Sequence, residues 1–452
     1  MSHAIVMGGS IAGLCAAAAL AKNFDRVTVL ERDPEPGPEA RRGAPQGHHV
    51  HALLSRGQAI MNELFPGAFA ALARDGAVRL DLGTGVRWFQ FGAWKPRRTI
   101  GVDVWFQSRP LLEHHLRASL GRNDKVELRF SVAIDGPVHA DGRVSGVRLR
   151  DGSVLDADLV IDATGRGSAS ATWLERWGYG KVLEQRVRVG LGYVSGIFEH
   201  ARGAGERGST AVYQHVPLDN KRAGLSFPVE NSRKVITLVG YHGDHAPTEI
   251  EAFRAWAKTL LQPEIANELD ELELVGGLRK FTYPEQIRRC YGELRRLPEG
   301  YLIIGDAMCS LDPTFGQGMA ISAMQAEVLA QSARPRRSTT RLQRRLYGMT
   351  TIPFTMTANE AHRWPETTGW KPRFSAFQRA AIAKVYEASS YDPDVYQALM
   401  HVVHFLAPPS ALLRPKLLWR VFVARRPLPA IKLPTPALVG ELSSAAASRA
   451  EF

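Results

Sequence analysis

The chain has 452 residues, of which 45% are hydrophobic and 23% charged, and its formal net charge is +12. This length predicts more than one compact unit, and the basic residues are scattered among acidic ones, which argues against a nucleic-acid partner. The three cysteines, Cys15, Cys290 and Cys309, show neither CxxC spacing nor histidine partners at zinc-site distances, so we expect no disulfide scaffold and no structural zinc in a cytoplasmic protein.

The first thirty residues predict a strand, a helix and a second strand. An apolar run at residues 4–7 precedes an alanine-rich stretch at 10–22, and a second apolar run follows at 26–30. Glycines and a serine interrupt the front of this apolar region, and no basic segment comes before it. We therefore interpret it as a buried βαβ unit and expect no integral membrane segment.

The turn GGSIAG in this unit matches a nucleotide-binding pattern. Gly8 and Gly13 occupy the outer positions of GxGxxG, and Ser10 stands at the middle one. Such a turn lets a pyrophosphate approach the backbone at a helix N-terminus. Glu31 ends the second strand about twenty residues on, where an acid receives the ribose hydroxyls of an adenosine.

The predicted elements beyond this unit alternate between strands and helices. In chain order they are a loop at 34–46, a helix at 109–120, an antiparallel meander within 126–163 that ends in a strand at 159–162, a strand-rich region at 187–241, a helix at 249–261, a buried strand at 301–304 and a helix from 317 to about 332. The remaining 120 or so residues are helix-like with proline breaks.

Two later stretches carry residues suited to ligand binding. LVIDATGRGS at 159–168 is a buried strand that ends in glycine, with Arg166 available for an anionic group. In GDAMCSLDPTFGQG at 305–318, Asp306 can accept hydrogen bonds from hydroxyls, and GQG places main-chain N–H groups at a helix N-terminus that stabilises negative charge.

Together, GGSIAG with Glu31, SRPLLE at 108–113, DATGRGS and GDAMCSLDPTFGQG resemble the FAD-binding fingerprints of class A flavoprotein monooxygenases, the para-hydroxybenzoate hydroxylase-like family. The resemblance covers roughly residues 1–331. RRGAPQGHHVHALLSRG at 41–57 and the NEAHRWPETTG region are more narrowly similar to bacterial natural-product members of the polyether-epoxidase type.

The resemblance implies an α/β fold with a Rossmann-like FAD-binding domain of the glutathione-reductase type, an inserted mixed β-sheet substrate domain and a C-terminal helical region. We expect the FAD-binding domain to be discontinuous, at 1–80, 100–185 and 280–335. The substrate domain is then expected at 81–99 and 186–279, and the helical region at 336–452.

It also implies an NADPH- or NADH-consuming monooxygenase. Such an enzyme inserts one oxygen atom from O2, through a flavin C4a-hydroperoxide, into a hydrophobic polyene, aromatic or polycyclic metabolite by epoxidation or hydroxylation. A flavin-linked reductase of the geranylgeranyl-reductase type and a flavin-binding protein without turnover stay open, whereas the WxWxIP tract of flavin halogenases is missing. Monomer and homodimer both remain open.

The resemblance implies roles for individual residues. Pro313 and Gln317 would lie near the reacting flavin carbon, and Thr164-Gly165 stands where many relatives have Asp-Gly. The residues implied to bind the cofactors are Gly8, Ser10, Gly13, Glu31, Arg32, Arg41, Arg42, Arg109, Thr164, Gly165, Asp306, Pro313, Gly316, Gln317, Gly318 and Met319.

The run His48-His49-Val50-His51 raises a metal site as an alternative, because several imidazoles could bind one ion. No carboxylate lies nearby in the sequence, so we predict no metal. We expect these histidines to line the flavin loop or the substrate entrance.

Overall fold

A computed structural model describes residues 1–37, 45–200, 211–215, 221–335 and 338–424. The strands in these ranges are β1 (His3–Met7), β2 (Arg26–Leu30), β3 (Ala52–Leu53), β4 (Val78–Asp81), β5 (Val86–Gln90), β6 (Ala93–Trp94), β7 (Asp103–Phe106), β8 (Val126–Arg129), β9 (Ile134–Ala140), β10 (Arg143–Leu149), β11 (Val154–Asp156), β12 (Leu159–Asp162), β13 (Glu184–His200), β14 (Ala211–His215), β15 (Arg222–Val229), β16 (Arg233–Gly240), β17 (Leu272–Arg289), β18 (Tyr301–Ile303), β19 (Cys309–Ser310) and β20 (Thr368–Gly369).

The helices in the same ranges are α1 (Ile11–Leu20), α2 (Ser55–Leu64), α3 (Ala68–Arg74), α4 (Leu82–Gly85), α5 (Arg109–Leu120), α6 (Ser170–Arg176), α7 (Ile250–Ala257), α8 (Glu264–Glu271), α9 (Gln317–Ser332), α10 (Thr340–Gly348), α11 (Thr351–Ala361), α12 (Ser375–Ala388), α13 (Pro393–Val403) and α14 (Pro415–Phe422). None of these helices is both long and apolar enough to cross a bilayer.

A five-stranded parallel sheet in the order β18-β12-β1-β2-β8 forms the base of the molecule. Its central strands are apolar and buried on both faces, as expected for a parallel sheet covered by helices. Helix α1 packs against α9 and is buried along almost its whole length, because its alanines let the two helices approach closely. The antiparallel meander β9-β10-β11 contacts the sheet through β10 and β12.

A nine-stranded mixed sheet forms the second layer. Its strands run β19-β17-β13-β16-β15-β14-β5-β6, and β20 pairs with β13. Strands β13 and β17 pair with each other and are long, with 17 and 18 residues. Strand β17 passes through residue 280, where we expected the boundary between the substrate domain and the FAD-binding domain. Strand β5 runs parallel to β14, which joins residues 86–90 to residues 211–215.

Helices α7 and α8 cover one face of this sheet. The apolar side chains packed between these two helices and the sheet are Val194, Phe198, Val212, Ile236, Leu238, Phe253, Trp256, Ile265 and Leu269. The opposite face is directed towards the parallel sheet and the N-terminal end of α9. A cavity therefore lies between the two layers, with wall residues from both.

The C-terminal helices close the side of this cavity. Lys95, which follows β6, is buried, and its Nζ donates hydrogen bonds to Tyr386 O, Ser389 Oγ and Ser390 Oγ at 2.8, 2.8 and 3.0 Å. These acceptors lie at the end of α12. One lysine thus joins the edge of the nine-stranded sheet to the C-terminal helices.

Candidate active site

The glycine turn between β1 and α1 has no room for side chains at its two outer positions. Gly8 has φ +102°, and a Cβ there would lie 2.6 Å from Ala163 O. A Cβ at Gly13 would lie 1.8 Å from Gly8 O. The turn therefore needs glycine at both positions, and it presents the unpaired N–H groups of the first turn of α1 to the cavity.

Glu31 is buried beside this turn. One carboxylate oxygen, Oε2, accepts a hydrogen bond from Gly9 N at 2.9 Å, and Oε1 accepts one from Asp33 N at 3.0 Å. Both contacts direct the carboxylate across the open side of the glycine turn. This is the position that the sequence predicts for an acid beside a ribose.

Arg109 at the start of α5 reaches the same turn. Its Nη2 donates to Ser10 Oγ at 2.9 Å, and its Nε donates to Glu113 Oε1 at 3.0 Å. Glu113 also pairs with Arg117 at 3.2 Å, and the three charged side chains are nearly buried. The i, i+4 spacing of Arg109, Glu113 and Arg117 on one helix face produces this cluster, which fixes the guanidinium of Arg109 at the turn.

The second loop, after β12, is held by one carboxylate. Asp162 is fully buried, and its Oδ1 accepts hydrogen bonds from Thr164 N at 2.9 Å and Thr164 Oγ1 at 2.6 Å. Its Oδ2 accepts hydrogen bonds from Ser168 and Ser170. Asp162 therefore sets the shape of the DATGRGS loop, although sequence reasoning did not single it out.

Asp306 lies at the end of β18, where Gly305 N donates to Gln325 Oε1 of α9 at 2.8 Å and fixes the loop. The Asp306 side chain is exposed to the cavity, and protein groups surround the cavity at this point. Burial raises the pKa of this carboxyl, against the opposing effect of Arg109, Arg166 and Arg289.

The segment from Asp312 to Gly318 leads into α9. Asp312 Oδ1 accepts a hydrogen bond from Thr314 N at 2.9 Å, and Gly316 adopts φ +65° immediately before the helix. A Cβ on Gly318 would meet only Asp306 Oδ1, at 4.0 Å. Packing does not require glycine at 318, so the open space beside it is room for a ligand.

These three loops meet at one cavity of about 830 Å³. The sequence-predicted site residues that line it are Gly8, Ser10, Glu31, Arg32, Arg109, Thr164, Gly165, Asp306, Pro313, Gly316, Gln317, Gly318 and Met319. Gly13 lies behind the turn, packed against Gly8. Arg41 and Arg42 lie outside the described residues.

The nine-stranded sheet forms the other wall of the same cavity. The side chains that line it from this sheet are Val86, Trp88, Gln90, Tyr193, Tyr213, Leu225, Phe227, Thr237, Val239, Phe281 and Tyr283. This wall is largely apolar and aromatic, as in many small-molecule sites. The aromatic residues Tyr193 and Phe227 face the cavity, whereas Trp105 and Tyr241 are buried without lining it.

His49 lines the cavity and packs against the nine-stranded sheet. Its ring centroid lies 4.4 Å from that of Tyr193, and its Nδ1 is 2.7 Å from Ser195 Oγ, which lies 2.6 Å from Thr237 Oγ1. Burial lowers the pKa of His49 to about 3, so the ring is neutral at pH 7. His51 also lines the cavity, and its Nε2 lies 2.8 Å from Gln46 O.

Sequence reasoning missed further cavity residues that come from distant parts of the chain. They include Gln90, Ser310, Asp312, Met356, Glu360, Tyr386 and His404. The pair Asp312-Pro313 within the GDAMCSLDPTFGQG motif was a usable signal for Asp312. Ser310 lies in the same motif. Nothing local in the sequence identifies the others, because their position depends on how the second sheet and the C-terminal helices fold together.

Comparison with known proteins gives relatives that match most of the chain. Protein Rv3254 of Mycobacterium tuberculosis is 33% identical over 354 residues, which are 74% of this chain and 74% of that protein. The chain belongs to the Rv3254 family. This Rv3254-family chain is also 26% identical over 352 residues to Protein FixC of Escherichia coli (strain K12), over 72% of this chain and 74% of that protein. Residues 6–62 match the model of an NAD(P)-binding Rossmann-like domain.

Solved structures show which fold this Rv3254-family chain has. PqsL, a probable FAD-dependent monooxygenase from Pseudomonas aeruginosa, aligns with a TM-score of 0.59 at 18% identity, over 80% of this chain and 94% of that one. The tetrameric 2-methyl-3-hydroxypyridine-5-carboxylic acid oxygenase, MHPCO, gives 0.61 at 18% identity over 90% and 98%. The flavin-dependent brominase Bmp2 gives 0.57 at 14% identity over 99% and 100%. The predicted α/β fold, with a Rossmann-like parallel sheet and an additional mixed sheet, is confirmed.

Proposed function

We propose that this protein is a FAD-dependent monooxygenase that uses NADPH or NADH and transfers one oxygen atom from O2 to a hydrophobic substrate. The observation that carries the proposal is a single cavity that runs from the glycine turn of β1 and α1 to the aromatic wall of the nine-stranded sheet. One end has the groups that suit a dinucleotide, and the other has a surface that suits an apolar molecule.

The residues of the first end fit FAD. The turn at Gly8 and Gly13 leaves bare main chain where a Cβ would clash, and Arg109 supplies a positive charge there for the pyrophosphate. Glu31 faces the same turn for the ribose hydroxyls. Asp306 would bind ribityl or pyrophosphate-side groups, and the open space at Gly318 accommodates the ring system.

The N-terminal end of α9 would act on the ring itself. Gln317 and Gly318 begin this 16-residue helix, and their N–H groups have no acceptor within it. A helix N-terminus favours negative charge, so this end would stabilise an anionic reduced ring. When bound, FAD supplies the hydride acceptance and the oxygen chemistry. The protein orients the reactants, excludes water and holds the developing charge.

The nine-stranded sheet would hold the substrate. Tyr193, Tyr213, Phe227 and Phe281 present apolar ring surface across the cavity from Pro313 and Gln317. We propose an aromatic, polyene or polycyclic metabolite as substrate, with hydroxylation and epoxidation as the two possible outcomes. The parallel-sheet region would then serve the cofactor and the second sheet the substrate.

An isotope experiment tests the proposal. The FAD-loaded protein would be reduced with NADPH in the absence of oxygen and mixed rapidly with ¹⁸O₂ and candidate aromatic or alkene substrates. We expect a transient flavin absorbance that belongs to neither the oxidised nor the reduced form, and a product that contains one ¹⁸O atom. Double-bond reduction without oxygen uptake would support the reductase alternative. Failure of bound flavin to turn over with any reductant or substrate would support a binding protein.

A further inference from the structure

Asp312 carries a buried carboxylate that the proposed function does not use. It is only 2% exposed and lines the cavity immediately before Pro313. Its hydrogen-bond donors are Thr314 N, at 2.9 Å, and Thr314 Oγ1, at 2.6 Å, and both are neutral groups. Within the described part of the chain, no lysine or arginine forms an ion pair with it.

Asp312 lies beside the substrate wall, because Tyr283 Oη of that wall is 2.9 Å from Ser310 Oγ, two residues before Asp312. Tyr193, Tyr213 and Tyr283 lie on strands β13, β14 and β17 and line the cavity. The pKa of each is raised, mainly by burial and in smaller part by the negative charge of Asp312. Burial also raises the pKa of Asp312 to about 6, which leaves it mostly ionised at pH 7.5.

The cationic side chains that line the cavity come from the loops of its cofactor end. Among the described residues these are Arg32, Arg109 and Arg166, and Arg109 is fixed at the glycine turn. Arg166 belongs to the DATGRGS loop and donates a hydrogen bond to Glu285 O. Its guanidinium lies 4.6 Å from the ring centroid of Tyr283, so this cation reaches the edge of the substrate wall, but it forms no ion pair with Asp312.

The substrate end is acidic. Besides Asp312, the acidic residue lining this end in the described ranges is Glu360, whose carboxylate is neutralised by Arg363 through hydrogen bonds of 2.5 and 3.1 Å. Burial lowers the pKa values of His49 and His404 to about 3, so both rings are neutral. An anionic ligand here would meet a like charge in a poorly solvated place.

We infer that the substrate is a hydrophobic molecule without an acidic group, and that it presents a hydrogen-bond donor, either a hydroxyl or an ammonium, to the Asp312 carboxylate. This inference rests on the proposed function, because it takes the sheet side of the cavity as the substrate end. It separates this chain from two structural neighbours: MHPCO is named for a carboxylic acid, and PqsL was solved with 2-aminobenzoylacetate.

Four ligands that share one ring test the inference directly. The probes are 2-naphthylmethylamine, 2-naphthalenemethanol, 2-ethylnaphthalene and 2-naphthoate, each titrated calorimetrically into the FAD-loaded protein at pH 7.5. We expect the amine and the alcohol to bind about tenfold or more tightly than naphthoate, because burying a carboxylate beside another is unfavourable. Both should also bind more tightly than the ethyl compound. The ratio of the amine affinity to the alcohol affinity tells which donor is preferred.

Asp312→Asn removes the charge and keeps the size of the side chain. We expect the amine and naphthoate affinities of this variant to converge to within about threefold. Asp135→Asn is the matched control, since Asp135 lines the cavity and is exposed on the meander strand β9. This control should keep the wild-type order of affinities.

Several results would overturn the inference. They are naphthoate binding as tightly as the two donors, no binding of any probe, or an unchanged order in Asp312→Asn. FAD content and the ¹⁸O experiment on the same protein keep the two proposals apart. Lost probe selectivity with intact oxygen transfer overturns only this inference, whereas intact selectivity without oxygen transfer overturns the proposed function.

Discussion

Among the residues of the glycine turn, Gly13 leaves the least space for a substitution. A Cβ at this position would lie 1.8 Å from Gly8 O, and that backbone atom cannot move aside as a flexible side chain would. Overpacking of this kind costs about 1–3 kcal/mol, so we expect Gly13→Ala to weaken FAD binding about tenfold or more. The Kd would be measured by the quenching of FAD fluorescence during titration with deflavinated protein.

Gly348 provides the control for this change. It lies at the end of α10, is exposed, and has nothing within 4 Å of a Cβ. Gly348→Ala should therefore bind FAD as the wild type does. Wild-type affinity in Gly13→Ala would show that the glycine turn does not hold the cofactor.

Glu113 is the buried anion between Arg109 and Arg117. Glu113→Ala would leave both guanidinium groups without this carboxylate, and breaking a buried ion pair costs about 3–5 kcal/mol. We expect a loss near the lower end, about 3 kcal/mol in the free energy of unfolding, measured by urea denaturation at saturating FAD. Glu127→Ala, which breaks half-exposed pairs with Arg26 and Arg129, should cost less than about 1 kcal/mol. Equal losses in the two variants would contradict the structural role given to Glu113.

At the scale of elements, Lys95 links the sheet edge to the end of α12. Burial lowers its pKa to about 7, whereas the pKa of a lysine in the unfolded chain is about 10.4. Between these values the unfolded chain binds more protons, so the unfolding free energy contributed by this site rises with pH. The slope is at most about 1.4 kcal/mol per pH unit.

Urea denaturation at pH 7, 8 and 9 measures this effect. The stability difference between wild type and Lys95→Met should shift in favour of the wild type as the pH rises. Lys416→Met removes an exposed lysine on α14 and should show no such trend. A difference that stays constant across this range would mean that Lys95 keeps an ordinary pKa in the folded protein.

Elements that are marked by nearby residues in the sequence were predicted closely. The strand at 159–162 and the helices at 109–120 and from 317 to about 332 agree with β12, α5 and α9. Helix α1 begins at Ile11 and ends at Leu20, slightly inside the predicted 10–22, because Ser10 is its N-cap. Each of these segments combines an apolar pattern with a glycine or proline boundary, so nearby residues suffice to predict it.

At the scale of the whole molecule, the pairing between distant segments could not be predicted. Strand β5 pairs with β14, which lies more than a hundred residues further along the chain. Strand β17 pairs with β13 and has 18 residues, although apolar and polar residues do not alternate regularly in its sequence. The cofactor end of the site was predictable, since it is formed by motifs at strand ends. The substrate end was not, because Tyr386 of α12 and His404 after α13 reach the cavity only through tertiary packing.

This arrangement would couple binding of the proposed FAD to the stability of the layers that the structure describes. The cavity walls come from the β1–α1 turn, the nine-stranded sheet, α9, and Glu360 and Tyr386 of the C-terminal helices, so FAD and substrate together would contact every layer. Free FAD at 100 times its Kd should stabilise the folded state by about 2.7 kcal/mol, with about 1.4 kcal/mol more for each further tenfold increase. Thermal unfolding of deflavinated protein at graded FAD concentrations should show one transition that moves upward, with a smaller shift in Gly13→Ala. If the C-terminal helices instead unfolded in a separate step that FAD does not move, the cavity would not unite these layers, since a ligand stabilises only the structure that must remain folded to bind it.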